Sequence, residues 1–299
     1  MRDRVIHVPN PRSPAGRNFN WADIGLPHPD SPAGRNFDYS KYLGVQHPNS
    51  RGSLQGLENS GLHTLEYRSS VDAVALSPVF WKNIHDAIAM HSYTRVYGAP
   101  KSSDFRFSRY EEGNNYPDYP ASNGELKVEV IATDNQMKIP GTLANRSHYG
   151  DLSVWHSMAP PGKHTNAAVR EMIVFYAKHW YEKAQATGDL FTMGSIAHMV
   201  SDSYSQSHVV RSAQGITLFQ SYIPQSGSKH RVADQLPMQR YQNEEGKAAL
   251  DAVTNVLKMF RDKLAFNSDV EPFLRQKVYR IAAGRETFLA GGTDPRFAK

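Results

Sequence analysis

The sequence predicts an all-α protein. Apolar residues recur at helical spacing in several long stretches, strand-like alternation is sparse, and the strongest stretch is bracketed by capping residues. The expected architecture is a single multi-helix bundle preceded by an extended N-terminal arm.

The arm is read from its texture. SPAGRNF occupies residues 13–19 and again 31–37, a period of 18, with Pro11 and Pro29 two residues ahead of each copy. A weaker echo, HPNSRG, follows at 47–52, and the stretch from Val8 to Gly56 is rich in Pro, Gly, Asn and Ser. Residues 1–56 are therefore expected to form an extended, repeat-containing arm, and residues 57–299 the helical domain. From Gly61 the pattern turns helical in LHTLEYRSSVDAVAL and, after Pro78, in VFWKNIHDAIAMHSYTRV. Residues 97–127 are polar and turn-rich, which predicts a surface insertion. TNAAVREMIVFYAKHWYEKAQATG predicts an amphipathic helix with Thr165 as N-cap and Gly188 past its end. DLFTMGSIAHMVSDSYSQ predicts another helix, and EEGKAALDAVTNVLKMFRDKLAF and VEPFLRQKVYRIAAGRE two more that supply bundle core.

Composition narrows the chemistry. The chain of 299 residues holds no run of ~20 apolar residues that would span a bilayer. It contains 0 cysteines, which excludes disulfides, thiolate nucleophiles and Cys-ligated zinc and leaves His, Asp and Glu as strong metal ligands. The net charge of +5 suits an anionic partner such as phospholipid or nucleic acid, although Lys and Arg are scattered without a basic block. The start, MRDRVIHVPNPRSPAGRNF, lacks the apolar run of a secretory signal. The expected localisation is a secreted or delivered effector, cytoplasmic before export.

The most informative stretch is HMVSDSYSQSH, residues 198–208. His198 and Asp202 stand four apart, so on a helix they share one face and can close on one cation. His208 follows Asp202 by six residues and converges with them only if the helix ends near Ser205. SKHRVAD supplies a second such pair, His230 and Asp234, and ATDNQMKIPGTLANRSHYGD supplies Asp134 and His148.

Taken together, these residues resemble the zinc-dependent phospholipase C and S1/P1 nuclease superfamily, whose signature is H-x3-D-x5-H. The spacings of 14 from Asp134 to His148 and of 50 from His148 to His198 are similar to those of its phospholipase branch. The resemblance covers about residues 60–240. It implies an all-α fold with two to three zinc ions in a cleft that cuts phosphodiesters. One ion would be held by Asp134, His148, His198 and Asp202, with Asp202 bridging to a neighbour; another by His208, His230 and Asp234; a third by His63, with His85 as the substitute, sharing Asp202. Asp134 would also serve as general base. Four features depart from the family. No Trp lies between Trp21 and His63 to complete the third site from a mature N-terminus. Gln206 and Ser207 stand where a proline usually precedes the last histidine. Asp234 is the carboxylate of the nuclease branch, and Asn135 and Asn145 occupy aromatic positions of some choline pockets.

The function this implies is hydrolysis of a phospholipid to diacylglycerol and a phosphorylated head group at a membrane surface. Trp155 and His156 are expected to bind substrate at the cleft mouth, with Trp155 and Met158 as an apolar lip for acyl chains. Single-stranded nucleic acid is the substrate of the alternative, a P1-like nuclease, although no basic stripe interleaved with aromatics is visible. A further alternative is a delivered toxin whose arm, residues 1–56, binds an export or adaptor protein.

Overall fold

The computed structural model describes residues 84–101, 103–129, 136–234 and 244–299, together with the strands 4–9 and 62–67. The chain divides into two compact units. The first comprises Met1–Val74, Lys101–Ser103 and Val130–Ala132, and the second Ala75–Pro100, Asp104–Glu129 and Thr133–Lys299. The division at Val74 differs from the expected one at residue 56. Both SPAGRNF copies lie outside the described residues.

In the first unit, β1 (Arg4–Pro9) pairs antiparallel with β2 (Leu62–Tyr67), from Arg4 opposite Tyr67 to Pro9 opposite Leu62. Residues 62–67 are therefore a strand and not the start of the expected helix. Thr64 and Tyr67 favour extended backbone, and Val5, Ile6 and Val8 supply a β-prone partner. Pro9 sits at the end of the ladder, where its missing N–H matters least.

The second unit is mostly helical. Its elements are α1 (Ile84–Tyr97), α2 (Phe105–Asn115), α3 (Leu143–Tyr149), a 3-10 turn (Ser153–His156), α4 (Asn166–Thr187), α5 (Phe191–Asp202), a hairpin of β3 (Val209–Ser212) and β4 (Gly215–Phe219), α6 (Gly227–Asp234) and α7 (Glu244–Arg261). α5 is the axis of the fold. All 12 of its residues are buried, its polar Thr192, Ser195, His198 and Ser201 each hydrogen-bonded to a backbone carbonyl, and α1, α2, α4 and α7 contact it.

The expected ends of α4 are present. The Thr165 hydroxyl accepts from Ala168 N at 3.2 Å, and Gly188 takes the left-handed conformation at φ 71. α7 buries Ala249, Leu250, Val253, Val256, Leu257 and Phe260 on one stripe. The last expected helix is shorter and wider: Phe266–Val270 and Leu274–Val278 are π-helical on either side of Glu271–Phe273. It stops where Ile281 bridges to Ile216 of β4.

Residues 97–127 are not a surface insertion. Asp104 caps α2 by accepting from Arg106 N and Phe107 N, and Tyr110, Gly113 and Asn114 form its buried face. A β-carbon on Gly113 would overlap Phe191 O, and one on Gly194 would overlap Tyr110 O. The two glycines let α2 and α5 cross backbone to backbone, so polar α2 is buried by proximity and not by apolar side chains.

Candidate metal centre

The site is built outward from the C-terminal turn of α5. His198 and Asp202 stand one turn apart, both buried, with His198 Nε2 3.1 Å from Asp202 Oδ2. The helix stops at Asp202. Ser205 N donates to Asp202 O and His208 N to Ser205 O, so the chain folds back and carries His208 Nδ1 to 3.5 Å from Asp202 Oδ2. Arg211 holds this turn by donating from Nε to Ser203 O at 2.9 Å. The early end of the helix is what the H-x3-D-x5-H spacing required for convergence.

Three other elements point at the same carboxylate. His85 lies on the face of α1 that buries Ile88, Ala89 and Ser92, and its Nε2 is 3.0 Å from Asp202 Oδ1. The 3-10 turn brings His156 Nδ1 to 3.0 Å from Asp202 Oδ2 and 3.1 Å from His198 Nε2. Just past α2, Asp118 Oδ1 lies 3.9 Å from His156 Nδ1 and 3.8 Å from His198 Nε2. His148, on α3, packs its ring 4.9 Å from that of His156 and groups with Asp118 and His156. His208 Nε2 in turn lies 3.2 Å from Nε2 of His230 on α6. The half-buried Tyr222 ring touches His148, His156, His208 and His230 at centroid distances of 5.5, 5.7, 5.8 and 4.6 Å.

Hydrogen bonds on the far side of each ring fix which nitrogen carries the proton. A backbone carbonyl only accepts, so a ring nitrogen beside one must donate. His198 Nδ1 donates to Asn114 O at 2.7 Å, His156 Nε2 to Pro117 O at 3.1 Å, His148 Nδ1 to Ala144 O at 3.0 Å and His208 Nδ1 to His156 O at 2.7 Å. The Ser201 hydroxyl spends its proton on His198 O and so accepts from His85 Nδ1 at 2.7 Å. In the neutral form His85, His156 and His198 therefore turn a lone pair toward Asp202, whereas His208 keeps its proton on the nitrogen nearest Asp202 and its lone pair at Nε2, facing His230. The short approach of His85 Nε2 to Asp202 Oδ1 is accordingly not a hydrogen bond, and Asp202 Oδ1 is buried without one. Lone pairs 3.0–3.2 Å apart repel unless a proton or a cation lies among them.

Charge follows from burial. Burial and the neighbouring His156 push His148 down to about 3, and burial lowers His156. Burial also opposes charge on His198 and Asp202, but their mutual attraction prevails. His198 is held up to about 9 by Asp202 and Asp118, and Asp202 is held well below the usual carboxylate range by His208, His198 and His85.

The donor set could hold a metal ion such as zinc. Imidazole and carboxylate are its usual non-thiolate ligands, and ligating histidines commonly donate their other nitrogen to a carbonyl. Among His156 Nδ1, His198 Nε2, Asp202 Oδ2 and Asp118 Oδ1, five separations run 3.0, 3.1, 3.1, 3.8 and 3.9 Å. A tetrahedron with zinc–ligand bonds of ~2.0–2.1 Å has edges of ~3.3–3.4 Å.

Of the residues expected from sequence, His148, His198, Asp202, His208 and His230 are brought together, and His85 joins them. Asp134 lies outside the described residues, as does the side chain of Asp234. His63 is on β2 of the first unit, a strand where an early helix was expected. Trp155 does not line a mouth. It is buried against Tyr116, Tyr176 and Trp180, and Met158 is buried too, so neither is an acyl lip. The tight 3-10 turn separates neighbours: Trp155 goes to the core and His156 to the cluster. Sequence reasoning missed Asp118 and gave His156 too peripheral a role. Asp118, in NYPDYP, carries no spacing signal, whereas His85 sits three, four and seven residues before Ile88, Ala89 and Ser92, a helical core stripe. The chain matches no family model, no curated protein and no solved structure.

Proposed function

We propose that this chain is a zinc-dependent phosphodiesterase of phospholipase C type, cleaving a phospholipid to diacylglycerol and a phosphorylated head group. On this reading the helical second unit is a phospholipase C/P1 nuclease-like bundle. The observation that carries the proposal is the convergence on buried Asp202 of four imidazoles, with His85 at one oxygen and His156, His198 and His208 at the other. A cluster of this kind without a proton or a metal cation among its ligands would be costly to bury.

His156, His198, Asp118 and Asp202 would hold one ion, His85 would share Asp202 with a second, and His208 and His230 would hold another, giving two to three. Zinc bound there supplies an acidified water near pKa ~7 and positive charge for phosphate oxygens. Asp202, with an oxygen toward each neighbouring group, keeps the ligand sets in register. His148 and His156, kept neutral by burial, retain lone pairs for a cation. Asp134 is the general base implied by the family resemblance. His148, followed by half-exposed Tyr149, marks the side on which substrate enters, with Tyr222 as its aromatic wall.

A second reading, a nuclease acting on single strands, gains from two observations: the net charge of +5 and the burial of Trp155 and Met158. The deciding experiment pairs metal analysis of protein purified without chelator with assays on mixed phospholipid micelles and on single-stranded DNA. Diacylglycerol release that stops with chelator and returns with zinc supports the lipase. Turnover of DNA alone transfers the assignment to the nuclease. The proposed route is that of a delivered effector whose residues 1–56 engage an export or adaptor protein, and unchanged export after deleting them would remove that role.

A further inference from the structure

We propose that Gln225 is the positioning residue of the His208–His230 pair, fixing both imidazoles through one side chain. The inference rests on reading that pair as a metal site. Gln225 is buried, 3% exposed, in the segment between β4 and α6. Its Nε2 donates to Ser207 O at 2.6 Å, and because a carbonyl only accepts, that contact settles which way the amide faces. Oε1 must then face His230 Nδ1, 2.5 Å away, and accept its proton. A neutral His230 so constrained presents its lone pair at Nε2, 3.2 Å from His208 Nε2. His208 reaches the same state independently by donating from Nδ1 to His156 O. The rings lie stacked at 21°, with centroids 4.9 Å apart.

The same amide thus holds His230 by its ring and His208 by the backbone of the residue before it. No other side chain of this size does both. Glutamate accepts from His230 but cannot donate to Ser207 O when ionised, methionine does neither, and asparagine is one methylene too short. Gln225 also anchors its own turn, its backbone N–H donating to Tyr222 O at 3.0 Å. Partners behind metal-bound histidines typically change metal affinity by ~10–100-fold when removed.

Full-length protein carrying Gln225→Met and Gln225→Glu would be compared with wild type in two measurements. Long-range 1H–15N spectra of metal-free protein report the tautomer of His230, assigned by its loss in His230→Ala. Zinc titration reports affinity at that ion, identified as the equivalent His230→Ala lacks. Wild type should show the Nδ1–H tautomer, Q225M a mixture with zinc held ~10–100-fold more weakly at that ion only, and Q225E the wild-type tautomer with weakened zinc. Wild-type tautomer and affinity within about twofold in Q225M would overturn the inference. If Q225M fails to fold, Q225E decides: a mixed tautomer there overturns it. Zinc stoichiometry unaffected by H230A would instead defeat the metal reading of the pair, while the tautomer spectra still judge Gln225.

Discussion

The two halves of the cluster are held in different ways. His198 and Asp202 ride on a helix with no exposed residue, and His85 comes from a second helix packed directly on it. His208 and His230 stand on a turn and on short α6, joined through buried side-chain amides: Gln225 to Ser207 O and His230, and Gln220 Nε2 to Gln206 O at 2.7 Å. The first half is rigid because its backbone cannot move without opening the core. The second is rigid only while a few hydrogen bonds, each worth ~1 kcal/mol, remain made. If the cluster is loaded as proposed, the difference implies a hierarchy in which an ion on His208 and His230 would exchange first and ions around Asp202 last. Stepwise chelation followed by metal analysis should release about one zinc ahead of the rest, and simultaneous loss would contradict the hierarchy.

The largest effect is expected where the comparison is most one-sided. Asp202→Asn retains size but removes the charge shared by the helix-borne ligands. It should weaken zinc there by roughly 10²–10⁴, the equivalent of about 2.7–5.4 kcal/mol, and abolish hydrolysis. Full zinc content in the variant would refute the assignment. His230→Ala should remove about one zinc while helicity and the Asp202-centred ions persist; circular dichroism and metal analysis together read both. Gly194→Ala drives a methyl into Tyr110 O and should destabilise the fold by about 1–3 kcal/mol in thermal melts. Its metal loss should begin with the Asp118–His156 group, reversing the order expected of wild type. The smallest effect is expected at Trp155. Replacement by Phe should cost about 1–2 kcal/mol of stability and leave activity per bound zinc unchanged, since the indole faces the core; a selective rise in KM would return it to the substrate site.

What the sequence revealed follows the same division. The helix-borne pair was legible because H-x3-D needs only helical periodicity, and the α4 boundaries were legible because Thr165 and Gly188 cap by local chemistry. His208 was legible on a condition, the end of the helix near Ser205, and α5 stops at Asp202. Asp118 was hidden because its position depends on the glycine crossing of α2 with α5, a contact between residues some 80 apart in sequence, as Gly113 and Gly194 are. Trp155 and His156 were misjudged as a pair because nothing in the local sequence announces the 3-10 turn, closed by left-handed Ser157 at φ 54, that sends one side chain to the core and the next to the cluster. Residues 62–67 became a strand because of a partner some 60 residues away, which no local pattern announces.

The complete burial of α5 also sets a clock. Amide protons of a helix without solvent-facing residues exchange with deuterium mainly when the surrounding fold opens, whereas those of a turn exchange through small, frequent excursions. The backbone around His198 should therefore be among the last in the molecule to take up deuterium, and that around Ser205 to His208 markedly earlier. An ion seated on Asp202 would be trapped on the slower timescale, its residence time tracking the opening of the surrounding fold, whereas one between His208 and His230 would depart with the opening of a few turn residues.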